Sequence, residues 1–123
     1  MVKLERALST KLHKKAVAAM EDSIFGTSDV HKIASLLDNT VNQYTAAHPV
    51  DLIFYEASTG VVIGLELDNG QRIVLKTFPP AKNRVKLEAK RTVQKSLTDQ
   101  KYPLPVPLTD VFSFGSGLGV LDQ

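Results

Sequence analysis

Residues 51–88 read DLIFYEASTGVVIGLELDNGQRIVLKTFPPAKNRVKLE, and this stretch decides the fold. Leu52, Phe54 and Glu56 alternate with Ile53, Tyr55 and Ala57, as in a strand whose side chains leave on opposite faces. Ser58-Thr59-Gly60 interrupts the apolar run, and the β-branched segment Val61–Leu67 predicts a second strand. Asp68-Asn69-Gly70 then marks a tight hairpin, because Asn-Gly tolerates positive φ. Residues 71–78 return as a third strand. On it Arg72, Val74, Lys76 and Phe78 share one face, and Ile73, Leu75 and Thr77 the other.

Lys76 therefore sits between Val74 and Phe78 on a partly apolar face, where an ammonium either reaches solvent or meets an anion. Glu88 follows twelve positions later on a predicted helix. If that helix crosses the sheet, its carboxylate meets Lys76 and fixes the ammonium for a phosphate.

Ser58-Thr-Gly, Val62-Ile-Gly-Leu-Glu-Leu-Asp-Asn-Gly, Ile73-Val-Leu-Lys76, Pro79-Pro80 and Leu87-Glu88-Ala89 together resemble the N-terminal lobe of aminoglycoside phosphotransferase-like kinases, small-molecule relatives of protein kinases. The resemblance covers residues 51–123. It implies that Ser58, Thr59 and Gly60 form a loop over nucleotide phosphates and that Val62 and Val74 sandwich the adenine. It also implies that Lys76 holds phosphate oxygens with Glu88 as its partner. The final segment Val120, Leu121, Asp122 and Gln123 would be the hinge that offers backbone groups to the adenine. The implied cofactor is ATP, with magnesium where a C-terminal lobe is present.

Two departures bear on activity. Where the family's loop carries two glycines ahead of its serine, this chain has Glu56-Ala57, and a carboxylate there repels phosphate unless it points away. Phosphoryl transfer also needs an aspartate to receive the acceptor's proton, an asparagine, and a second aspartate for magnesium. No His-x-Asp or Asp-Phe-Gly occurs in the sequence. The sequence thus resembles half a kinase, fragment or free-standing remnant, and is expected to be inactive alone.

The 123 residues suffice for one modest domain, and 43% hydrophobic with 23% charged residues is ordinary for a soluble globular chain. A net charge of +2 does not by itself argue for nucleic acid. The absence of cysteine excludes disulfides and thiolate metal sites. No long apolar run suggests a signal peptide or membrane span, so the expected compartment is the cytoplasm.

Residues 1–50 read as a helical pair. Leu4, Leu8, Leu12, Ala16, Met20 and Ile24 recur every fourth position, flanked by lysines that include Lys11, Lys14 and Lys15. Gly26 is the predicted stop, and Thr27 or Ser28 the predicted cap of a second helix with Asp29 in its first turn. Ile33, Leu37, Val41 and Tyr44 form the second stripe, ended by His48-Pro49. His13, His31 and His48 show no metal-site spacing.

After Pro79-Pro80, residues 81–100 read as a helix with Val85, Ala89, Val93 and Leu97 at helical spacing. Its basic residues are Lys82, Arg84, Lys86, Lys90, Arg91 and Lys95, with Arg84 or Arg91 available to pair with Glu88. Few aromatics interleave with them, which favours a wet face over nucleic-acid binding. The prolines from Tyr102 to Leu108 lead into a strand at 110–114, a turn at 115–119 and a last strand at 118–121.

The expected architecture is α+β: a helical pair (1–50) and a kinase-like N-lobe (51–123), a five-stranded antiparallel sheet with one packed helix. The expected function is nucleotide binding. The partner is a missing C-lobe, or a second copy through residues 104–120 or the helical pair, with no nucleic acid or membrane partner. The alternative is a non-enzymatic interaction or dimerisation module.

Overall fold

The computed structural model describes residues 2–12, 14, 16–81, 83–101 and 105–123. His13, Lys15, Lys82 and Tyr102 to Leu104, used in the sequence reading, lie outside these residues. The order of elements is α1 (Val2–Lys11), α2 (Ala18–Phe25), α3 (Val30–Thr45), β1 (Pro49–Ala57), β2 (Val61–Leu67), β3 (Arg72–Phe78), α4 (Arg84–Asp99), β4 (Phe112–Phe114) and β5 (Gly117–Asp122). The strands form one antiparallel sheet in the order β1-β2-β3-β5-β4. The fold is α+β, with four helices among the described residues.

The β2–β3 hairpin is the element the sequence specifies best. Val62 pairs with Lys76, Gly64 with Val74 and Glu66 with Arg72, so these residues share a face. At the turn only Gly70 takes positive φ, +84°, and Leu67 N–H donates to the Gln71 carbonyl. That is a turn closed by a left-handed glycine, rather than a two-residue loop with positive φ at both positions.

The opposite face of the sheet carries the main core. Val61, Ile63, Leu65, Ile73, Leu75 and Leu121 are buried there with Leu4, Leu8, Ile24, Ile33, Leu37 and Val41 of the first three helices. Burying each such side chain is worth roughly 1.5–3 kcal/mol, so these helices complete the sheet's core. Thr77 is also buried on this face and its hydroxyl donates to the Val61 carbonyl at 2.9 Å.

The N-terminal ridge is not one helix. It breaks after Lys11 and resumes at Ala18. The hydroxyls of Ser9 and Thr10 donate to the carbonyls of Arg6 and Ala7, each at 2.8 Å, and so compete for acceptors in the last turn of α1. Leu4, Leu8 and Leu12 are buried, whereas Ala16 of the same four-residue repeat is exposed. Gly26, at φ +72°, ends α2 as expected. The cap of α3 falls one residue later than Ser28: Asp29 is itself the N-cap and accepts from His31 N–H and Lys32 N–H.

Helix α4 lies on the Lys76 face, where Leu87 packs with Val111, Leu118, Val120 and Phe78 in a second, smaller cluster. Its orientation differs from the expected one. Of the expected stripe, Val85, Ala89 and Val93 face solvent, with Val85 74% and Val93 58% exposed, and Leu97 is half-buried. Leu87 and Arg91 face inward instead, and Arg91 is only 4% exposed. A charged residue occupies the inward position because β5 places a buried carboxylate opposite it. Among the described residues no helix is long and apolar enough to cross a membrane.

Candidate functional site

The loop between β1 and β2 bends over the edge of the Lys76 face. Ser58 N–H donates to the Gly60 carbonyl at 2.9 Å. Gly60 passes so close to β3 that a Cβ there would collide with the Thr77 carbonyl oxygen. The close approach requires glycine and brings the loop beside Lys76. Ser58, Thr59, Gly60, Val62 and Lys76, with Thr77 and Phe78, line one open cleft of about 140 Å³. Five of the sequence-predicted residues thus meet around one volume. Val74 shares their face but lies outside the cleft, between Gly64 and Asp122 in register.

Glu56 pairs in register with Val62 and shares its face, yet it does not line the cleft and is exposed. The Phe54 ring covers Gly64, at a position where a Cβ would strike it, and gives the open face an apolar floor next to Val62.

The predicted pairing of Lys76 with Glu88 is not formed. Glu88 is 54% exposed and its Oε1 accepts from Arg84 Nε at 2.9 Å, one turn earlier on α4. Lys76 Nζ instead lies 3.2 Å from Oδ2 of Asp122, and the lysine side chain is 39% exposed. Asp122 stands opposite Val74 on β5, diagonal to Lys76 on the same face. The correction follows from the rotation of α4, which turns Leu87 and Arg91 toward the sheet and Glu88 away from it.

Asp122 is fully buried. Its Oδ1 accepts from Arg91 Nη1. The same guanidinium donates through Nε to the Thr109 carbonyl at 2.7 Å, through Nη1 to Gln94 Oε1 at 3.1 Å, and through Nη2 to the Leu121 carbonyl. Oδ2 receives no aligned hydrogen bond although Lys76 is within ion-pair distance, so charge rather than a directed bond links those two. Arg91–Asp122–Lys76 is thus a chain of two cations about one carboxylate, with a net charge of +1. Lys76 also lines a second cleft, of about 150 Å³, with Phe78, Leu87, Lys90, Arg91, Gln94 and Val120. One ammonium therefore stands between two cavities.

The predicted hinge behaves differently from expectation. Leu121 is fully buried in the helical core. Its N–H donates to Thr109 Oγ1 at 3.1 Å, and its carbonyl accepts from Leu108 N–H at 2.9 Å as well as from Arg91. Val120 and Asp122 pair with Lys76 and Val74 across the ladder, and Gln123 N–H donates to the Val106 carbonyl. These internal bonds commit the backbone groups expected to meet the adenine. The side chain of Asp122 is what reaches the site.

Sequence reasoning missed Arg91 as an inward residue and Asp122 as a side chain. Leu87, Arg91 and Gln94 do share the spacing i, i+4, i+7, and Asp122 is the lone acid of a strand that is otherwise apolar and glycine. Those two signals together would have found the pair. Of the expected self-association stretch 104–120, Val106 and Leu108 are exposed, while Val111, Phe112, Phe114, Leu118 and Val120 are buried. Among the described residues no group of three or more His, Asp or Glu side chains is placed to hold a metal ion. Comparison with family models, with curated proteins and with solved structures gave no significant match.

Proposed function

We propose that the chain is a nucleotide-binding lobe of a small-molecule phosphotransferase, similar to the N-lobe of aminoglycoside phosphotransferase-like kinases. One observation carries this reading: the Ser58–Gly60 loop, Val62 and Lys76 line a single cleft on the open face of the sheet. The order of elements supports it, with α4 inserted between β3 and β4 and packed on the same face as Lys76. In this reading ATP binds with its phosphates under the loop against Lys76 and its base over Val62 and Val74. Lys76 supplies a point charge and the loop supplies backbone N–H groups.

Binding does not extend to transfer in this reading. The groups that would receive the acceptor's proton and hold magnesium have no counterpart motif in the sequence, and electrostatic stabilisation of the transferred phosphoryl requires them. A partner lobe would bring them, along with magnesium. The compartment proposed is the cytoplasm, where ATP is available. The test is calorimetric titration with ATP. Saturable binding that falls at least about tenfold in Lys76→Ala, equivalent to 1.4 kcal/mol, supports the lobe. Absence of ATP binding to the wild-type chain refutes it.

A second reading has one observation in its favour. Val85 and Val93 form an exposed apolar stripe along α4, which suits a protein-interaction or dimerisation module. Light scattering distinguishes the outcomes: a dimer lost in Val85→Lys supports this module, and a monomer at high concentration refutes self-association.

A further inference from the structure

We propose that Asp122, clamped by Arg91, is the residue that positions Lys76 for an anionic phosphate, in place of the helix glutamate at 88. The inference rests on the reading of Lys76 as a phosphate ligand and adds to it the carboxylate that sets the ligand in place. Asp122 is fully buried, Lys76 Nζ is 3.2 Å from its Oδ2, and Glu88 is turned away and bonded to Arg84.

The geometry sets the sign of the effect. A lone carboxylate beside a phosphate site repels the ligand as much as it orders the lysine. Here Arg91 neutralises the carboxylate through Oδ1, and Nε and Nη2 of Arg91 are fixed by the Thr109 and Leu121 carbonyls. The charge of Asp122 is therefore offset before any ligand arrives, while its second oxygen still faces Lys76. Holding a long side chain in place in advance removes an ordering cost from binding. With one side of the ammonium facing Oδ2, its remaining N–H groups are available for phosphate oxygens. Helix α4 thus acts on the lysine at second hand, through Arg91 and Asp122, and Asp122 is a positioning residue that need not touch the ligand.

The experiment uses the full chain with Asp122→Asn, the double variant Arg91→Gln/Asp122→Asn, and Glu88→Gln. The double variant removes both buried charges together, which avoids stranding the guanidinium if Asp122→Asn alone fails to fold. Dissociation constants for ATP and for adenosine are measured by calorimetry. The expected result is a loss of roughly tenfold in the preference for ATP over adenosine in both Asp122 variants. Adenosine affinity should stay unchanged, and Glu88→Gln should match wild type. Equal losses for ATP and adenosine would mean a structural role only and overturn the proposal. So would a loss confined to Glu88→Gln. Without nucleotide, the ¹⁵N signal of the Lys76 ammonium, assigned by its disappearance in Lys76→Arg, should move in the Asp122 variants and stay put in Glu88→Gln. A wild-type chain that binds no ATP defeats the lobe reading, whereas an ammonium signal indifferent to Asp122 defeats the positioning role itself.

Discussion

Replacing Arg91 with methionine tests the packing of α4 most directly. Methionine keeps much of the side chain's volume and removes its charge. The guanidinium makes hydrogen bonds to Asp122, Gln94 and the Thr109 and Leu121 carbonyls while only 4% exposed. Its loss leaves a fully buried carboxylate with Lys76 as its remaining ion partner. Breaking a buried pair from one side costs about 3–5 kcal/mol. That is a large share of the 5–15 kcal/mol typical of a domain. With a urea m-value of roughly 2 kcal/mol/M, the denaturation midpoint should fall by about 2 M. The matched control is Val93→Ala, at a site 58% exposed, which should shift stability by no more than about 0.5 kcal/mol. Adding Asp122→Asn to Arg91→Met removes the stranded charge and should restore part of the loss, a coupling visible in a double-mutant cycle. An Arg91→Met cost below about 1 kcal/mol, with Val93→Ala the costlier change, would show that α4 faces the sheet through its valine stripe and would refute the reasoning.

Three further outcomes can be checked. Burial, reinforced by the neighbouring Glu21 carboxylate that accepts a hydrogen bond from its hydroxyl, raises the Tyr55 phenol well above its ordinary value. A raised value means that this stability is present below about pH 10 and is lost as pH rises toward the folded value; Tyr55→Phe should flatten the alkaline arm of a pH–stability curve. Lys95 holds the exposed carboxyl of Asp110 below the ordinary aspartate value of 3.8. The associated stability is present above that value and lost as pH falls through the folded one, so an NMR titration should find the Asp110 midpoint low in wild type and ordinary in Lys95→Met or at high salt. Gly60→Ala places a methyl against the Thr77 carbonyl, and urea denaturation should show a loss of about 1–3 kcal/mol.

The sequence carried the β2–β3 hairpin almost residue for residue because two independent signals agreed there, strict alternation and an Asn-Gly turn. It also places Val62 opposite Lys76 by counting register, whereas the Ser58–Gly60 loop was set beside them by the family resemblance alone. It failed where register gives way to rotation. A helix can turn about its axis, and Val85-Ala89-Val93 is the better apolar stripe by composition. The structure buries Leu87 and Arg91 instead because Asp122 waits on β5, and no local pattern on α4 records a carboxylate some thirty residues away. The break between α1 and α2 escaped for a related reason: a leucine ridge repeated every fourth residue says nothing about where a helix is interrupted. The hinge reading missed the bonds of Leu121 to Leu108 and Thr109 and of Gln123 to Val106, because they depend on a proline-rich connection whose course the sequence does not fix.

The two faces of the sheet carry unequal responsibilities. Three helices and most of the buried aliphatic side chains hold it from behind, while in front α4 contributes Leu87 to a cluster of four buried apolar residues completed by Val111, Leu118 and Val120. If the open face is a binding surface as proposed, folding and recognition are partly separated there: positions such as 54, 62 and 74 look outward, and only the Arg91–Asp122 pair on that face is asked to serve both. Substitutions at those outward positions should therefore leave the scaffold behind them largely undisturbed.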